Sequence, residues 1–303
     1  MRSMSTAPAT FTLSLIHMLT EGTARTPLGV VVAAALVATI AYLHADASSS
    51  SQLGPASTTQ SSNLEHAQRL FYSARYEEAA ALTLCSSDAD DLVACELRTS
   101  ALHFQIKRAL GGASDKGNAL KRCATCPELL STFMADVARG QAVARARLEV
   151  NPGDEAMLFL LGKLDLNYVW LQLGTLGRRT GWGQYWEARR SLDTVLAQNP
   201  GHLRARVARA WIDYIVDTKM PRGTRWVLGG GNKKQGLAVV REAASTDAEL
   251  FIRAEAGFAL WEMLVRERKF SEAVATAQGL ARDFPDNQEL RKFLETHESG
   301  LRP

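Results

Sequence analysis

The chain has 303 residues, enough for one large or two medium domains with a substantial core, so neither a metal nor a covalent staple is forced on it. Apolar residues make up 46% and charged residues 22%, which excludes global disorder and a multi-span membrane protein. A net charge of +3 is close to neutral for this length and gives no ground for a nucleic-acid partner.

Residues 1–27 are a mixed segment with Arg2, Arg25 and one acid, Glu21, and Leu28 to Leu43 then runs sixteen residues without a charge. That is slightly short of the roughly 20 residues of a full bilayer span. Two readings of residues 28–45 stand. One is a secretory signal cleaved near Ala45-Asp46-Ala47; the other is an uncleaved membrane anchor with its basic end inside. Residues 46–63, rich in Ser and Thr, have the composition of a flexible linker, which argues against a buried soluble helix just before them. Both readings place the rest of the chain in the bacterial periplasm, either soluble or tethered to the inner membrane.

Four cysteines, Cys85, Cys95, Cys123 and Cys126, lie within 42 residues in the segment 64–147. In an oxidising compartment the simplest of three pairings is local, Cys85 with Cys95 and Cys123 with Cys126. Zinc ligation, free buried thiols, and a redox role for Cys123-Ala-Thr-Cys126 ahead of Pro127 are the alternatives. No strand precedes that Cys-x-x-Cys, and the separation of Cys85 from Cys95 suits a zinc knuckle poorly.

From Leu64 onward apolar residues recur three and four apart, and strand-like alternation is absent, so an all-α fold is expected. Breaks fall at Ser86 to Asp91, Gly111 to Gly117, Asn151 to Asp154, Asn199 to His202 and Phe284 to Asn287. Pro152 and Pro200 are 48 residues apart; so are Gly140, Ala188 and Gly236 in succession, and Gly162 and Ala210. A small residue at fixed phase lets two helix axes approach, and pairs that cannot bury their apolar faces alone are expected to stack.

The segments Ala74 to Ala79, Gly183 to Ala188 and Arg268 to Ala273, with Leu161-Gly162 and Pro152, Pro200 and Pro285, resemble the tetratricopeptide repeat. The resemblance covers residues 64–294, most firmly 148–294, with 295–303 left as a tail. It implies a right-handed superhelical stack of antiparallel helix hairpins, an α-solenoid, that works by protein contact. Trp261 replaces the usual small residue in the last unit, which makes a tight crossing there doubtful. In the two middle units the steps Gly162 to Ala188 and Ala210 to Gly236 are each 26 residues, where Trp261 to Ala273 is 12. Each middle unit therefore carries an insertion between its helices. This expansion is similar to exported bacterial tetratricopeptide proteins and, more distantly, to the periplasmic tetratricopeptide component of some substrate-capturing transporters.

The insertions, residues 168–181 and 216–230, should share one edge of the stack. Arg178, Arg179, Trp182 and Trp186 close the first; Arg222, Arg225, Trp226, Lys233 and Lys234 mark the second. A guanidinium forks onto carboxylate or phosphate while an indole supplies rigid contact area, so these nine are the candidate partner-binding residues. The competing reading is that Trp182, Trp186 and Trp226 plug each insertion onto neighbouring helices. Leu164, Tyr168, Leu171 and Leu173 read as core or as a self-association surface. The glycine run before Lys233 lacks the Gly-Lys-Ser/Thr ending of a phosphate loop and reads as an inter-helix turn.

The six histidines are scattered, with no His-x-x-x-His and no Gly-x-Ser-x-Gly, so no catalytic residue, metal ligand or cofactor is singled out. The expectation is a non-enzymatic scaffold that binds a protein through its concave face and insertion edge. The alternatives are capture of a small hydrophobic or anionic ligand beside a transporter, and self-assembly as a homo-oligomer.

Overall fold

The computed structural model describes residues 55–85, 91–113 and 115–298. The described residues contain helices and turns and no strand. In chain order the helices are α1 (Pro55–Tyr72), α2 (Tyr76–Leu82), α3 (Leu92–Leu110), α4 (Lys116–Arg122), α5 (Cys126–Val150), α6 (Glu155–Val169), α7 (Trp182–Gln198), α8 (Leu203–Lys219), α9 (Arg222–Arg225), α10 (Lys233–Ser245), α11 (Leu250–Arg266), α12 (Phe270–Asp283) and α13 (Gln288–Glu298). Helix α1 begins at Pro55, inside the stretch 46–63 expected to be linker. Proline at a helix start gives up no intrahelical hydrogen bond, and the helix continues into the buried Ala67 and Leu70. At the other end α13 extends to Glu298, past the expected tail boundary at 295.

The transmembrane helix expected over residues 28–45 needs correction. No helix among the described residues is long and apolar enough to cross a membrane, and residues 28–45 lie outside them.

The expected stops are built as caps. Asp154 accepts from the Met157 N–H (3.0 Å) and His202 Nδ1 from the Ala205 N–H (3.1 Å). Asn232 accepts from the Gln235 N–H (3.1 Å), and Asn287 from those of Glu289 and Leu290 (2.9 and 3.0 Å). Each cap satisfies a donor that a helix start leaves orphaned.

Consecutive helices pack in pairs, α1 with α2, α3 with α5, α6 with α7, α8 with α10 and α11 with α12, and α13 covers the last pair. Small residues sit where the axes approach. A Cβ on Gly236 of α10 would lie 2.7 Å from the Ala210 carbonyl oxygen of α8, and one on Gly162 of α6 would lie 3.4 Å from that of Ala188 in α7. In the last pair the small residue is Gly257, one turn before Trp261, and a Cβ there would lie 2.9 Å from Leu280 Cδ2. A close approach exists there after all, displaced by four residues from the position the spacing indicated.

Cys85 is bonded to Cys95 and Cys123 to Cys126, so the local pairing holds and the described cysteines are not left as zinc ligands or free thiols. The first bond ties the segment after α2 to α3; the second joins the end of α4 to the start of α5.

The first helices of the pairs meet through a charge cluster. Glu255 of α11 accepts from Lys163 of α6 (2.6 Å) and Arg204 of α8 (2.5 Å), and Arg204 also reaches Glu96 of α3 (3.2 Å). Burial alone would raise the Glu255 carboxyl, but Arg204 and Lys163 together outweigh it and hold it down at about 2. The first and last described helices also touch. The Tyr72 ring of α1 stacks on Phe251 and Phe258 of α11 with centroids 6.1 and 5.6 Å away, and Asn287 Nδ2 donates to the Tyr72 carbonyl (2.7 Å). Arg108 of α3 and the Tyr76 hydroxyl donate to Glu289 of α13 (2.8 and 3.3 Å).

Candidate interaction edge

The connections within the pairs are long where the sequence indicated insertions. Helix α6 continues as a π-helical segment, Trp170–Thr175, before a turn to α7. Leu171 and Leu176 bury into the N-terminal cluster with Phe133 and Val137. His103 Nε2 and Thr175 Oγ1 share a hydrogen bond of 2.8 Å. Burial, with Lys107 nearby, pushes His103 down to about 3, so the ring that holds this connection is neutral. Gly177 and Gly181 take the left-handed turns (φ 66° and 94°) that bring the chain to the start of α7.

The second insertion, between α8 and α10, is fastened from behind. Arg189 of α7 donates to the carbonyls of Leu228 and Gly229 (2.8 Å each), and the Tyr185 hydroxyl to that of Leu228 (2.8 Å). Asp217, the one acid of this stretch, pairs with Arg225 and accepts from the Lys233 N–H (2.9 Å). Arg225 also donates to the Met220 carbonyl (3.1 Å), and Lys233 pairs with Glu267 (2.7 Å). Gly231 packs so closely on α8 that a Cβ there would meet the Asp213 carbonyl and the Asp217 nitrogen at 2.7 Å. The glycine run is therefore an inter-helix turn ending in the Asn232 cap.

Leu228 and Met220 of the second insertion share one apolar cluster with Trp170, Leu173, Trp182 and Trp186 around the first, so the two connections are neighbours along α7. The nine candidates divide. Trp182 and Trp186 pack against that cluster with rings edge-on to Tyr185 (6.3 and 5.3 Å), as the plugging reading has it. Arg225 and Lys233 are engaged in internal ion pairs. Arg178, Arg179, Arg222 and Lys234 are exposed, and Trp226 is 77% exposed, the opposite of a plug. Leu164 and Leu171 are fully buried and belong to the core.

Sequence reasoning missed three things here. Tyr185 and Arg189, which hold the second insertion, lie on a helix and carried no signal beyond the aromatic of the repeat motif. The connection from α3 to α5, Gly111 to Thr125, is a third long connection, hidden because its cysteines obscured the spacing; its Leu120 and Cys123 pack against the apolar cluster to which Leu171 and Leu176 belong. The charge cluster is spread over four helices and follows no period. It joins the faces that the first helices turn towards one another.

Away from this edge, a cleft of about 450 Å³ at the meeting of the first and last helices is lined by Ser73, Arg75, Arg108, Asp286, Glu289 and Lys292 among others. Among the described residues no group of three or more His, Cys, Asp or Glu is placed to hold a metal ion. Compared with family models, with curated proteins and with solved structures, the chain matches none.

Proposed function

We propose that this chain is a non-enzymatic scaffold of the tetratricopeptide type, a right-handed stack of antiparallel hairpins, that binds a protein partner through the edge carrying its expanded connections. The observation behind this reading is Trp226, 77% exposed on a turn that Arg189, Tyr185 and Asp217 fix from behind. Burying a large exposed indole is favourable for association, and a turn already ordered loses little further entropy on binding. Neighbouring Arg222 and Lys234 add charge at the rim. The two disulfides favour an oxidising compartment, which for a bacterial chain is the periplasm.

Affinity capture from detergent-solubilised envelopes tests the reading. The full chain and a variant carrying Arg222→Ala and Trp226→Ala are compared; Arg225 is left in place because it builds the turn. A partner retained by the first and lost by the second is the expected result. Equal recovery of every partner by both would remove this edge from consideration.

A further inference from the structure

We infer that the partner surface taken by this edge is an acidic polypeptide segment with an apolar or aromatic residue among its carboxylates. This rests on the reading of the edge as a protein-binding surface and adds the chemistry of what it recognises.

The charge on the edge has one sign. From Tyr168 to Trp186 and from Thr218 to Arg241 the chain contains no acid. The acids that approach from flanking helices are already neutralised, Asp217 by Arg225 and Glu267 by Lys233. What faces solvent is Arg178 and Arg179 on the first connection, and Lys219, Arg222 and Lys234 around the second. Elsewhere on the described surface acids and bases interleave, as in Arg206 with Glu242, Arg241 with Glu272 and Arg266 with Glu262. Here Arg222, Lys219 and Lys234 are exposed and have no ion-pair partner among the described residues, and the exposed Trp226 indole lies on the same connection.

A surface of this kind attracts a carboxylate-rich segment over distances comparable with the Debye length, about 10 Å at 0.1 M salt. It rejects a basic segment by like-charge repulsion. Guanidinium groups fork onto carboxylates, and the Trp226 ring gives the apolar residue of the segment a rigid platform. Because the turn beneath Trp226 is fastened to α7 by three hydrogen bonds to the Leu228 and Gly229 carbonyls, the ring is presented in place.

Fluorescence anisotropy with the full chain tests this. The probe is a short labelled peptide of alternating Asp and Glu around one central Trp, with a control in which Asn and Gln replace the acids. The acidic peptide should bind and the control should not. Raising salt from about 50 to about 200 mM should weaken binding roughly tenfold. The Arg222→Ala, Trp226→Ala variant, whose altered side chains are exposed and whose thermal melt should match the parent chain, should lose it. Equal binding of the control, binding unchanged in the variant, or binding only to phosphatidylglycerol vesicles and not to the peptide would overturn the inference. The envelope capture separates the two levels. If that variant loses the captured partner while the acidic peptide fails to bind, the edge stands and the proposed chemistry falls; if capture is also unchanged, both fall.

Discussion

Asp165 is fully buried on α6, between α5 and α7. One oxygen accepts from Gln141 Nε2 (2.6 Å), and the carboxyl also interacts with that of Glu187. Arg145 is drawn to Glu187, which it meets at 2.5 and 3.0 Å, and stands 3.9 Å from Asp165. Burial first, and the Glu187 charge second, raise the Asp165 carboxyl from 3.8 to about 8. The folded chain thus holds a proton at this site over a pH range in which the unfolded chain has lost it. Stability contributed here is complete below about pH 4 and is lost as pH rises towards 8, at up to about 1.4 kcal/mol per pH unit. Asp165→Asn, which keeps the bond from Gln141 and supplies a permanent donor, should flatten that fall. Urea unfolding at pH 5, 6, 7 and 8 would show it, and parallel pH profiles for the two proteins would exclude the protonated state. The sequence offered no hint of this residue, because an acid in an apolar helical run reads the same whether it faces water or a neighbouring carboxylate.

Among the helices, the in-phase small residues were legible and their energetic weight was not. Gly162 faces Ala188 across one crossing and Gly236 faces Ala210 across the next, yet the two glycines meet different neighbours. A methyl at Gly236 runs into the Ala210 carbonyl at 2.7 Å, which moves only with the whole of α8. At Gly162 the nearest atom is Leu192 Cγ at 3.1 Å, a side chain able to shift slightly. Gly236→Ala should therefore destabilise by about 1–3 kcal/mol. Gly162→Ala should stay near neutral, the gain of up to about 1 kcal/mol from replacing a mid-helix glycine offsetting the tighter contact. Denaturant midpoints measured side by side give the comparison, and equal losses would mean that the two crossings are alike. The same limit applied to the insertions. Their length could be counted from the 48-residue spacing, but whether a tryptophan plugs or protrudes depends on backbone anchors such as Arg189, which lies on another element.

For the described molecule as a whole, the contact between first and last helices has the largest consequence. Tyr72 lies against Phe251, Phe258 and Phe284, and Asn287 and Glu289 reach back to the first two pairs. An open stack has contacts only between neighbours and opens from its ends; here the ends protect each other. Tyr72→Ala should cost about 2–4 kcal/mol and should speed amide exchange in α2 and in α12 and α13 together, leaving α7 and α8 nearly unchanged. Faster exchange confined to the neighbourhood of residue 72 would show that the ends are not coupled.

By itself the sequence determined the features that local chemistry dictates: helices from apolar periodicity, their stops from Pro, Gly, Asn and Asp, and two long connections from broken spacing, with local pairing as the simplest arrangement of the cysteines. Only the tertiary structure decided which charges are neutralised within the chain, which tryptophan faces water, and that the first and last described helices meet at Tyr72. Those outcomes depend largely on residues far apart in the chain meeting in space, 40 positions for Arg189 and Gly229 and 215 for Tyr72 and Asn287, and no local pattern encodes such a meeting.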